Sequence, residues 1–123
     1  MQTLVTFVFK FLAALPLAWL HKLGNLLGSL GFRVLSKDRR RVFENMKLAG
    51  LNPTDEAVKK VFRETAKGGL ELPVAFFRRP EEIENLFVSV NGWEHVQTAL
   101  SAGEGLLFIT PHIGSYDLAG RYI

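Results

Sequence analysis

The sequence predicts an α/β protein in which an N-terminal helical region leads into the first βαβ unit of a larger sheet domain. Three observations predict this: an apolar stretch opens the chain, helical periodicities follow it, and after Pro80 two short β-rich runs flank one helical pattern. The 123 residues, 48% apolar and 22% charged, suffice for one small ordered domain. Their formal net charge of +3 is unevenly spread, because residues 1–49 hold eight Lys or Arg against two acids and residues 50–123 hold seven against ten. The basic half is also the half with the apolar stretch, which points to a membrane surface as partner and away from nucleic acid. No cysteine occurs, so disulfides and thiolate metal sites are excluded.

Residues 1–35 are read as a membrane anchor followed by an interfacial helix. The stretch "LVTFVFKFLAALPLAWL", residues 4–20, carries one charge, Lys10. A helix of that length reaches about 25 Å, short of a hydrocarbon core of roughly 30 Å unless its flanks snorkel. A spanning helix and an in-plane amphipathic anchor, with Thr3, Thr6 and Lys10 on one face, are both open; a buried helix of a soluble core is the third reading. The lack of an early positive charge and of an A-x-A-like site argues against a cleaved signal peptide. Lys22, Arg33, Lys37, Arg39, Arg40 and Arg41 would hold the following chain on the cytoplasmic side. Leu23, Leu26, Leu27, Leu30 and Val34 then recur at helical spacing. Gly24, Gly28 and Gly31 share another face, where small residues admit a neighbouring backbone, although each costs about 1 kcal/mol of helix propensity.

Residues 36–79 form a second helical region. A helix over residues 37–48 carries the arginines, with Val42, Phe43 and Met46 on its apolar side, and "AGLNP" ends it. Thr54 can cap a further helix with Asp55 and Glu56 in its first turn and Val58, Val61 and Phe62 inside. That helix is expected to weaken at Gly68 and Gly69, before "LELPVAFF". Residues 80–123 open the sheet domain, with "LFVSV" (86–90) as a strand, Gly92 as a turn, "WEHVQTALSAG" as a helix and "GLLFIT" (105–110) as a second, parallel strand. Parallel strands need cover on both faces and further neighbours, so the sequence is expected to be the N-terminal part of a larger protein.

The stretch "ITPHIGSYD", residues 109–117, holds the candidate chemistry. Pro111 disfavours helix at Thr110 and puts His112 just past a strand end, where open α/β sheets build their sites. Were residues 112–117 all helical, His112 and Asp117 would point about 140° apart. They meet only if His112 lies in the loop and Asp117 in the first turn of the next helix, with Gly114 easing the bend and Ser115 as a cap. The carboxylate then fixes one imidazole nitrogen and leaves the other to take a proton from a hydroxyl. The bland reading is a polar loop that contains both residues. His21 and His95 lack the acid, with Leu26 and Leu100 at the equivalent positions, and are read as an interfacial side chain and a solvated helix residue.

The block "TPHIGSYD" after "GLLFI" resembles the H-x4-D/E motif of the bacterial lipid A biosynthesis acyltransferases, within the wider glycerolipid acyltransferase-like superfamily. The resemblance extends to "LPLAWLHKLGNLLG", "RRRVFENMKLAG", "GGLELPVAFF" with its acid Glu71, and "VNGWEHVQTALSAGEGLLFITPH". It implies an enzyme at the cytoplasmic face of the inner membrane that moves a fatty acyl chain from acyl carrier protein to a hydroxyl of a lipid A precursor, with no metal and no cofactor. His112 matches the general base and Asp117 the carboxylate that orients it. Lipid A members more often carry glutamate at the acid position, so a phospholipid-synthesis acyltransferase using a lysophospholipid stays open as an alternative, as does a noncatalytic membrane-bound remnant. Arg39, Arg40 and Arg41 are candidates for substrate phosphates or the acidic carrier protein, beside the plainer reading of a flank touching anionic lipid. "RRPEE" at 78–82 is read as a solvated turn. Because later family blocks supply oxyanion donors, residues 1–123 alone are expected to lack useful activity.

Overall fold

The computed structural model describes residues 2–103, 105–111 and 113–122. Their elements are α1 (Gln2–Ala14), α2 (Leu17–Val34), α3 (Ser36–Leu48), α4 (Asp55–Phe77), α5 (Pro80–Glu84), α6 (Trp93–Ser101) and α7 (Tyr116–Tyr122). Pro16 divides the apolar opening stretch, since the residue before a proline resists helix. The Leu15 N–H closes α1 on the Leu12 carbonyl at 3.1 Å, and the Pro16 carbonyl begins α2 by accepting from Trp19 at 2.9 Å. Two helices bent by 116° thus replace the single helix expected over residues 4–20. No single helix among the described residues is long and apolar enough to cross a membrane. Only the bent pair reaches that length and composition together.

The α4 helix is the spine. Thr54 caps it as the sequence predicts, its hydroxyl accepting from the Ala57 N–H at 3.2 Å, and Asp55 and Glu56 occupy the first turn. Contrary to expectation, α4 does not weaken at Gly68 and Gly69 but runs through both, and through Pro73, to Phe77. Packing overrides propensity here, for Val58, Glu71, Pro73, Val74 and Ala75 are all buried along it.

The longest contact along that spine is with α2, and glycines set its closeness. A Cβ placed on Gly28 would lie 2.5 Å from the Arg63 Cα and 2.6 Å from the Phe62 carbonyl oxygen, and one on Gly24 would lie 2.9 Å from the Lys67 Cα. These are backbone atoms of α4, which cannot step aside as a side-chain tip can. Gly31 receives the Phe62 ring instead, and Phe62 meets Phe32 edge to face at 6.0 Å. Consequently the glycine face of α2 is the buried one, and Leu26, Leu27, Leu30 and Val34 of the leucine-rich face are exposed.

Arg78, just past α4, reaches back to the α1–α2 break. Its Nε donates to the Ala13 carbonyl at 2.8 Å and its Nη2 to the Leu15 carbonyl at 2.6 Å. These are orphan carbonyls at a helix end, where a cation is favourable. Arg78 is therefore a tertiary clamp and not part of a solvated turn, while Arg79 is local: its backbone N–H and Nε both donate to the Glu82 carboxylate, at 3.1 and 3.3 Å. Below the clamp lies the core of Leu20, Val74, Ala75, Ile83 and Leu118, with Leu12, Leu15, Leu17, Leu70, Leu86 and Phe87 packed around it. Leu118 brings α7 onto α4 and α5, and Tyr122 fixes the other end of α7 against Phe87 and Trp93, at ring separations of 4.8 and 5.5 Å.

The βαβ expectation is overturned: among the described residues there is no strand. The helix between the two β-rich runs forms as α6, yet residues 86–90 and 105–110 do not pair. Val88 is fully exposed and Ile109 is 89% exposed. β-propensity expresses how well a side chain packs on a pleated surface, and two runs without neighbours or cover have no such surface to join.

Two outcomes test this account. Gly28→Ala should lower stability by about 1–3 kcal/mol through overpacking, whereas Gly68→Ala, whose new Cβ meets nothing within 4 Å, should raise it by about 0.8–1 kcal/mol; urea unfolding reads both. Acid should loosen the start of α5. The Arg79 backbone N–H, and then its side chain, hold the Glu82 carboxyl below its ordinary value of 4.5, so the contribution is complete above that value and is lost as pH falls through the lowered one. The Arg79 amide resonance should follow that titration, and Glu82→Gln should abolish the dependence.

Candidate active site

The start of α7 carries the predicted acid. Gly114 adopts φ of +63°, a left-handed turn that costs glycine little, and the Ser115 carbonyl accepts from the Ala119 N–H at 3.0 Å to begin the helix. Asp117 therefore sits in the first turn of α7, where the sequence places it, and the buried Leu118 beside it holds that turn against α4. His112 lies outside the described residues, so its expected pairing with Asp117 has no geometry here.

Asp117 lines a cleft of about 440 Å³ between α4 and the α7 start. Gly114, Ser115 and Tyr116 share its wall; Glu64, Lys67, Gly68, Gly69 and Glu71 form the opposite side. Lys67 is held by Glu64 at 2.9 Å. Glu71 is 4% exposed, the charged side chain that is buried among the described residues. It does not stand alone, for His21 Nε2 lies 2.6 Å from its Oε1. His21 is thus a partner of Glu71 across the α2–α4 interface and not simply an interfacial side chain, as the sequence reading had it. The available signal was one ionisable residue in each of two apolar runs, "LPLAWLH" and "LELPVAFF", because a charge buried in such a run needs a partner. His95, by contrast, is the exposed helix residue expected.

Arg39, Arg40 and Arg41 do not reach this cleft. All three lie on α3 with local partners. Arg39 donates to the Phe32 carbonyl at 3.3 Å with its guanidinium over the Phe32 ring, Arg40 pairs with Glu44 at 3.4 Å, and Arg41 with Asp38 at 3.5 Å. The last two pairs are exposed and of small energetic weight.

Comparison with protein families decides the kinship. The family model described as bacterial lipid A biosynthesis acyltransferase matches residues 1–123, the whole chain. The chain belongs to that family. Searches of curated proteins and of solved structures return no significant match. Membership gives this lipid A acyltransferase family protein its general activity, acyl transfer in lipid A biosynthesis, and makes the α4–α7 cleft, which holds the acid of the family-like block, the place to look for its chemistry.

The left-handed turn is directly testable. Gly114→Val should destabilise the start of α7 by about 1–2 kcal/mol, since a β-branched residue resists positive φ, whereas Gly105→Val, at a glycine without positive φ and with nothing within 4 Å of a new Cβ, should have little effect; thermal melts compare the two.

Proposed function

We propose that the protein transfers a fatty acyl group from the thioester of acyl carrier protein to a hydroxyl of a lipid A precursor, with His112 as general base and Asp117 as the residue that orients it. The whole-chain family match carries this reading, and the placement of Asp117 in the first turn of α7, on the wall of a cleft, supports it. His112 takes the proton of the acceptor hydroxyl as its oxygen attacks the thioester carbonyl. The new C–O bond forms, the C–S bond breaks, and the imidazolium returns the proton to the departing thiolate. A carboxylate on the other ring nitrogen holds the tautomer and favours the imidazolium.

The same reading puts the protein at the cytoplasmic face of a bacterial inner membrane. Leu4, Phe7 and Phe11 of α1 and Trp19 of α2 are exposed apolar side chains, and the first 49 residues carry a net charge of +6. An in-plane attachment of the bent pair matches both features, and Arg40 and Arg41 suit anionic headgroups.

In the full-length natural protein, His112→Ala should lower acyl transfer about 10²–10⁴-fold and Asp117→Asn about 10²-fold or more, with membrane association intact. Undiminished transfer by His112→Ala would leave a noncatalytic role. Offering a lysophospholipid in place of the lipid A precursor distinguishes the two acceptor classes: preferential acylation of the lysophospholipid would reject the acceptor proposed here.

A further inference from the structure

The His21–Glu71 pair is expensive for a fold that does not need it. Glycines already bring α2 against α4, and a carboxylate buried as Glu71 is, with one part-exposed imidazole as its hydrogen-bond partner, seldom adds stability over well-packed apolar side chains of similar volume. Glu71 also faces two ways. Its Oε1 is bonded to His21, which is 37% exposed and does not line the cleft, while the residue itself forms part of the cleft wall. A carboxylate has about four acceptor sites, so the His21 bond leaves most of that capacity unused.

The surrounding wall is rich in acceptors. Asp117 stands on the opposite side. Gly69, also in the cleft, keeps a carbonyl whose helical partner four residues on is Pro73, which has no N–H to give. Lys67, the cationic donor in the wall, is engaged by Glu64. Gly68 and Gly69 leave the α4 side open, for a Cβ on either would meet nothing within 4 Å. Thr65 and Ser115 add hydroxyls that donate as well as accept, so the lining beside this open space suits a polar ligand that offers O–H or amide N–H donors to its carboxylates.

We propose that Glu71 binds the acyl acceptor by accepting a hydrogen bond from a hydroxyl or amide N–H of its polar, sugar-like head, and that His21 is the positioning residue that holds the carboxylate in place. This rests on the acyl-transfer reading above and adds two residues to it.

Steady-state transfer by the full-length protein, with acceptor varied at saturating donor, tests it. Glu71→Gln and His21→Ala should each raise the acceptor KM about tenfold with kcat changed less than threefold, the size of a lost hydrogen bond to a charged group. His21→Gln, which keeps an amide donor for Glu71, should recover most of the loss. Gly69→Leu should raise the acceptor KM with an unchanged or higher melting temperature, because it fills the cleft while removing a helical glycine. An unchanged KM in folded Glu71→Gln, or a fall in kcat that only tracks lost folded protein, would overturn the assignment. If Glu71→Gln does not fold, an unchanged KM in Gly69→Leu does so instead. An inactive wild type would reject the transfer reading and this assignment together, whereas an active wild type with an indifferent Glu71→Gln rejects the assignment alone.

Discussion

The approach of α2 to α4 at Gly24 and Gly28 is the constraint on which the other features depend. Side chains at these positions would hold the helices apart, since Cβ atoms there would sit 2.5–2.9 Å from α4 backbone atoms. The close approach itself is made of dispersion and buried surface, and beside it Arg63 Nε of α4 donates to the Ser29 hydroxyl of α2 at 2.9 Å. Once it forms, it delivers His21 to Glu71, carries Leu20 into the core with Val74, and brings the α1–α2 break within reach of Arg78. The α7 helix then closes onto α4 and α5 through Leu118, and the cleft exists because α7 meets α4 where α4 carries two glycines.

Electrostatics divides the molecule into two regimes. On the surface, pairs such as Arg40 with Glu44 and Arg41 with Asp38 are solvated and exchange one set of hydrogen bonds for another at little net gain. Inside, His21–Glu71 and the Arg78 bonds to Ala13 and Leu15 sit where water competes less, so breaking one partner leaves a polar group in poor surroundings. The cation-rich face that dominates the net charge is therefore not where charge holds the fold together.

What the sequence revealed followed from whether a signal was local. Thr54 capping α4, the small face of Gly24, Gly28 and Gly31, and Asp117 in a first turn after Gly114 each depend on a few neighbouring residues, and each is found. Pro16 was also a local signal, but the continuous apolar run around it suggested one helix where there are two. The β-rich runs at 86–90 and 105–110 misled because strand formation needs pairing, which residue type cannot supply. Gly68, Gly69 and Pro73 look like breakers in isolation, and burial of the residues around them keeps α4 continuous. The pairing of His21 with Glu71 spans 50 positions, and no periodicity reports a contact of that reach.

The Arg78 clamp also sets an order of events during synthesis. It fixes carbonyls at Ala13 and Leu15, 65 and 63 positions earlier. A ribosome adding about 5–20 residues per second needs roughly 3–13 s to travel that distance. Through that interval α1 has been made and its fastener has not, so the greasy first helix meets the cell before it meets its own protein. Any factor that captures nascent apolar segments has first access to it, and the folded bend at Pro16 is fastened only afterwards.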